Sequence, residues 1–107
     1  MRPNITQMAI LKILIEKQTP LKGADIQRTL VNDYRFKVSL GRISTEARNL
    51  SHEGFLFSSR SADRLKNGSR RTDYSITEDG KSYYRELRSR YMNYVNIANT
   101  IFDLPVI

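Results

Sequence analysis

Residues 38–77, VSLGRISTEARNLSHEGFLFSSRSADRLKNGSRRTDYSIT, decide how the rest of the chain is read. The first part carries helix signals. Ser39 is a favoured N-cap residue, and Val38 before it with Ile43 four residues into the helix fits a hydrophobic staple. Leu40, Ile43, Ala47 and Leu50 recur at intervals of 3, 4 and 3, one apolar stripe on a helix running from Ser39 to about His52. Gly54 suits a left-handed helix terminator, with His52 near the negative end of the helix dipole. Residues 55–60 then open with strand-forming side chains, and residues 72–76 alternate, with Thr72, Tyr74 and Ile76 on one side. Between them, residues 61–71 hold Asn67-Gly68, a favoured turn pair. The expectation is a helix followed by a long hairpin with an exposed cationic tip.

Upstream, residues 4–17 predict a first helix, capped by Asn4 or Thr6, with almost no polar face and so buried on more than one side. Thr19-Pro20-Leu21 ends it, because the residue before proline is pushed to an extended conformation; a short edge strand fits there. A second helix is expected from Gly23 to about Asp33, with Ala24, Ile26, Leu30 and Val31 facing inward. Phe36 and Val38 then pin the following turn to the core. Downstream, Thr77 is an N-cap candidate with Glu78 and Asp79 in the first turn, where anions are favoured. The helix it starts should reach about Asp103. Tyr84, Leu87, Tyr91, Tyr94, Ala98 and Ile101 make a heptad seam along it, which Val95, Ile97 and Phe102 widen. A helix of roughly 26 residues is about 39 Å long. A domain this small cannot cover all of that, so the far half is expected to bury itself against a second copy.

The chain has 107 residues and a formal net charge of +7. One domain body is expected, with residues 1–76 forming the binding unit and residues 77–107 a dimerisation helix. Between Arg35 and Arg71 stand nine basic and three acidic residues, so +6 of the net +7 lies in about a third of the chain. A charge kept for solubility would be spread more evenly. The clustering favours a polyanionic partner, nucleic acid ahead of an acidic membrane. There is no cysteine, which excludes disulfides and thiolate metal sites and fits a reducing, cytoplasmic setting. One histidine and no glycine-rich phosphate loop leave no metal centre, no nucleophile–histidine triad and no cofactor site to expect, and hence no enzyme.

The order is helix, short strand, two helices, strand, basic loop, strand, long helix. This is the order of a winged helix-turn-helix: mainly α with a small β-hairpin, plus a long C-terminal helix. A groove-reading helix needs one apolar face for its core and one short, polar, cationic face for base edges. The third helix meets that need. Opposite its stripe lie Gly41, Ser44, Thr45 and Arg48, flanked by Arg42, Glu46 and Asn49, with Ser39 at its start. Arg60, Arg64, Lys66, Arg70 and Arg71 in the hairpin are the candidate phosphate contacts, Arg64 and Lys66 first because they sit nearest the tip.

Residues 41–56, ending in ARNLSHEGFL, resemble the third helix of PadR-like and MarR-like winged-helix regulators, and residues 70–84, RRTDYSITEDGKSYY, resemble the PadR-like pattern of arginine, tyrosine, strand, Thr-Glu-x-Gly and long helix. The resemblance covers about residues 5–87. It implies a dimeric regulator, most simply a repressor, that binds double-stranded DNA through the third helix and the wing. Where PadR-like helices often carry tyrosine, this chain has Ser44. A single C-terminal helix in place of a large effector domain names no small-molecule effector. The layout also resembles small archaeal chromatin proteins, which bind DNA with little sequence preference. A plasmid or phage DNA-binding factor, and a winged helix that binds an acidic protein, share the same residues.

Overall fold

Asn4 starts helix α1 (Ile5–Lys17) by accepting the Gln7 N–H at 3.0 Å, which satisfies one of the amides a helix start leaves unpaired. Strand β1 (Leu21–Lys22) and helix α2 (Gly23–Tyr34) follow, then α3 (Leu40–His52), β2 (Leu56–Arg64), β3 (Arg70–Ile76) and α4 (Glu78–Phe102). The computed structural model describes residues 4–64 and 70–103, and of residues 61–64, 70 and 71 the backbone alone. Among the described residues, no helix is long and apolar enough to cross a membrane.

The strands form one antiparallel sheet in the order β1-β3-β2. Leu21 pairs with Tyr74 and Lys22 with Asp73, so the residues after Pro20 do form an edge strand. The Lys22 ammonium also lies 3.9 Å from the Asp73 carboxylate. The hairpin is longer than the sequence suggests. Regular pairing from Leu56↔Ile76 to Arg60↔Thr72 is followed by a register shift, and pairing resumes at Arg64↔Arg70. Residues 61–63 thus stand opposite Arg71 alone, a bulge that bends and twists the arm. Ser61, Ala62 and Asp63 give no strand signal, yet β2 and β3 take in residues 61–64, 70 and 71, which the sequence assigns to the turn. Lys66 and Asn67-Gly68 lie outside the described residues.

The helices and the sheet meet in one core. Ile10, Leu11, Ile13 and Leu14 of α1, Ile26 and Leu30 of α2, Ile43, Ala47 and Leu50 of α3, Leu56, Tyr74 and Leu87 are buried together. Phe36 and Val38 pack against this core, as their alternation with Arg35 and Lys37 predicts. Two expectations need correction. Leu40 is 43% exposed, because the first residue of α3 overhangs the edge of the core. Leu87 is only 4% exposed: it belongs to the chain's own core and has no surface left for a partner. The first turns of α4 therefore complete the core built by residues before 77.

Those first turns cross close over the link between α3 and β2. The Thr77 N–H donates to the Phe55 carbonyl at 3.3 Å. The Thr77 hydroxyl donates to the Gly54 carbonyl at 2.8 Å and accepts the Gly80 N–H at 2.9 Å, so one side chain caps α4 and ties it to the end of α3. The rings of Phe55 and Tyr83 stack 4.1 Å apart and 8° from parallel. A Cβ on Gly80 would lie 2.0 Å from the Phe55 carbonyl oxygen and 2.8 Å from Ile76 Cγ1. Only glycine fits there. Gly54 is the other position that demands it, with φ +85° as the chain leaves α3.

Gly80→Ala is expected to destabilise the fold by at least about 1–3 kcal/mol, the usual cost of forcing volume into a packed contact, and Thr77→Ala by about 1 kcal/mol through the lost cap. Urea unfolding of each variant checks this. A second test concerns Tyr74, whose hydroxyl burial holds above its ordinary value of 10.0 against the opposing charge of Arg48. Burial penalises the phenolate, so the hydroxyl costs nothing below pH about 10 and stability falls as the pH climbs from there through the folded value. Titration of the Tyr74 ring resonances should give a midpoint above 10, and Arg48→Gln should move it higher still.

Candidate nucleic-acid interface

Ser39 accepts the Arg42 N–H at 3.0 Å and so sets the start of α3. With Ile43, Ala47 and Leu50 buried, the opposite side of the helix must face out. Gly41, Thr45, Arg48 and His52, spaced 4, 3 and 4, form that side, and all are exposed. Arg42 and Asn49 are exposed on its flank. A Cβ on Gly41 would meet nothing within 4 Å, so a flat surface can approach the backbone there. His52 is the residue that reading the helix end alone leaves out of this set; its place four residues after Arg48 is the signal that includes it.

Ser44 departs from the expected face. It is half-buried, and its hydroxyl lies 3.7 Å from where a Gly23 Cβ would stand, so it leans toward α2. Glu46 departs further. Expected beside the outer face, it is only 7% exposed. The Asn4 amide donates to its carboxylate at 2.6 Å and the Asn49 amide at 3.5 Å, and the Arg42 guanidinium lies 3.6 Å away. Gln27 donates to the Val38 carbonyl at 2.9 Å, fixing α2 against the entry of α3.

The hairpin brings further positive charge. Arg60 is exposed on β2 opposite Thr72, and the backbones of Arg64 and Arg70 are direct partners across the arm. Lys66 lies outside the described residues, as do the side chains of Arg64, Arg70 and Arg71. Asp73 and Glu78, the first two acids after Arg70 and Arg71 in sequence, stand close to Lys22 and Lys81. Among the described residues, no group of three or more His, Cys, Asp or Glu is placed to hold a metal ion. A groove of about 460 Å³ of mixed polar and apolar lining opens between Leu14, Ile15, Gln18, Pro20, Ile76 and Lys81.

Beyond Leu87, α4 leaves the core. Tyr84 still packs against it, and Tyr91, Val95 and Ala98 are half-buried. Met92, Tyr94, Ile97, Ile101 and Phe102 are exposed, the last two by 66% and 68%. The polar side of the helix pairs with itself: Arg90 with Glu86, Arg85 with Ser82 and Lys81 with Glu78.

No protein-family model and no curated protein matches this chain by sequence. Solved structures do match in shape. A transcriptional regulator from Clostridium thermocellum is similar over 88% of this chain and 89% of its own, at 21% identity and a TM-score of 0.74. A PadR-like transcription factor from Bacteroides fragilis is similar over 91% and 89%, at 22% identity and a TM-score of 0.68. PadR of Bacillus subtilis, solved in complex with operator DNA, is similar over 78% of this chain and 46% of its own length, at 22% identity and a TM-score of 0.67. At such identities the likeness is one of fold, and this chain has the winged-helix fold of the PadR-like transcription regulators.

Proposed function

We propose that this protein is a transcription regulator, acting as a repressor, that binds double-stranded DNA as a homodimer in the cytoplasm. Helix α3 enters the major groove and the β2–β3 arm lies on the phosphate backbone. The observation that carries this reading is the outer side of α3. Gly41, Thr45 and Arg48 stand exposed on it, Arg42 and Asn49 flank it, and the helix is held from behind by Ile43, Ala47 and Leu50. Small residues permit close approach, and arginine reads guanine or clamps phosphate. The likeness in fold to a PadR solved in complex with operator DNA supports DNA as the partner.

The roles divide by chemistry. Ser39, Arg42, Ser44, Thr45, Arg48 and Asn49 belong to the groove contact; Ser44, leaning toward α2, serves its edge. Arg60, Arg64, Lys66, Arg70 and Arg71 position the protein on phosphates without reading sequence. Nothing in this chemistry calls for a reaction or a cofactor; the protein is read as a binder, with double-stranded DNA and its own copy as partners. The second copy is carried by the distal half of α4, where Met92, Tyr94, Ile97, Ile101 and Phe102 are exposed. Side chains of that size left uncovered mark an association surface. Two α3 helices about 34 Å apart would select a palindrome with one-turn spacing, and the bound dimer would block a promoter.

Selection of bound duplexes from a random pool should return such a palindrome. An unselective pool, with specific over random affinity near one, would instead assign an architectural role. On the selected duplex, Arg48→Ala is expected to cost about 1–3 kcal/mol and relax one base position. Arg64→Ala should lower the salt slope by about one unit and weaken all sequences alike. Sedimentation at micromolar concentration should show a dimer, and Ile97→Asp with Ile101→Asp a monomer that no longer prefers paired half-sites. Absence of any salt-dependent retention on DNA would point to an acidic protein partner.

A further inference from the structure

Glu46 is a carboxylate on the inward side of a helix that Ile43, Ala47 and Leu50 otherwise line. An ionised group so placed is costly without partners, and an apolar residue of similar volume would pack there at least as well. Packing alone therefore does not call for Glu46. Its three partners suggest what does. Asn4 Nδ2 donates to Oε2 at 2.6 Å, while Asn4 Oδ1 is occupied in capping α1. Asn49 Nδ2 reaches Oε1 at 3.5 Å, and Arg42 lies 3.6 Å from Oε2. Arg42 and Asn49 both reach the solvent side of α3, four residues before and three after Glu46.

We infer that Glu46 is a positioning residue that sets DNA specificity without touching DNA. It draws Arg42 and Asn49 to one flank of α3 and offsets the charge of Arg42. This rests on the proposed contact between α3 and DNA. A free arginine beside a groove binds any phosphate and raises affinity for every sequence equally. An arginine held by a fixed carboxylate has a set direction and little net charge to give. Its donors then favour a base edge in one position over phosphate in many. Asn4 completes the device: it anchors the carboxylate to the start of α1, 42 residues away in sequence, so the clamp is fixed to the body of the domain and not to α3 alone.

Glu46→Gln keeps the shape of the side chain and its bond to Asn4 while removing the charge. Binding of the wild type, Glu46→Gln, Arg42→Gln and the double variant would be measured on selected and random duplexes across a salt series. With Glu46→Gln, random duplex should bind several-fold tighter, with a salt slope steeper by about 0.9, the value of one added phosphate contact. The ratio of specific to random affinity should fall, and the whole effect should vanish in the Arg42→Gln background. Arg42→Gln alone should weaken specific binding and leave the slope on random DNA unchanged. A merely structural role for Glu46 would lower both affinities in parallel with the melting temperature, and that result overturns the inference. So does an unchanged slope, or an effect that survives without Arg42. Should Glu46→Gln not fold, Arg42→Gln decides alone: a slope lowered by about one makes Arg42 an ordinary phosphate contact and refutes the clamp. A wild type with no salt-dependent binding to either duplex would remove the proposed function, and this inference with it.

Discussion

The crossing of α4 over the link between α3 and β2 is the constraint on which the rest of the structure depends. Thr77, Gly80, Gly54 and Phe55 make it, within a few ångströms of one another. It closes the core, since Leu87 reaches its place between the helices only if the first turns of α4 lie this near. It also fixes where α3 ends, because the Gly54 carbonyl is held by the Thr77 hydroxyl. The Thr-Glu-x-Gly pattern at residues 77–80 thereby acquires a physical meaning. Threonine caps, glutamate meets the positive end of the helix, and glycine leaves room for a carbonyl.

Much of this was legible in the sequence wherever the signal was local. Ser39, Thr77 and Gly54 announce the ends of their helices by their own chemistry. The stripe Ile43/Ala47/Leu50 announces the inward side of α3. Signals that depend on distant residues were not legible. Helices α1 and α2 stop close to where the sequence predicts, but through Gln18 and Arg35 in the left-handed conformation, which neither residue type announces. The burial of Glu46 depends on Asn4, which no periodicity links to it. By sequence the heptad seam of α4 is one continuous surface. A heptad looks the same whether it meets its own core, as Leu87 does, or is left uncovered, as Ile101 is.

The candidate interface shows the same division. Which side of α3 faces outward followed from spacing alone, and the structure adds His52 to it and withdraws Ser44 in part. Which of those side chains are free to act was not readable from spacing. Arg42 is as exposed as Arg48 in a helical projection, yet among the described residues a carboxylate accompanies only Arg42. Two arginines six residues apart on one helix are thus unequal cations, and the inequality arises from the opposite side of the helix.

Anchored at one end and bare at the other, α4 has the form of a lever. Its fulcrum is Leu87, the last residue of α4 buried in the core, beyond the glycine crossing at residue 80. From Leu87 to Phe102 the free arm measures about 22 Å. A tilt of roughly 10° about the fulcrum would carry its tip by about 4 Å, close to the 3.4 Å rise of one base step. In a dimer joined at these arms, the spacing between two half-sites would be adjusted by helix angle alone, with the reading helices themselves left unchanged. Small substitutions near the crossing would then retune which operators are spanned, a route by which one fold can come to serve differently spaced sites.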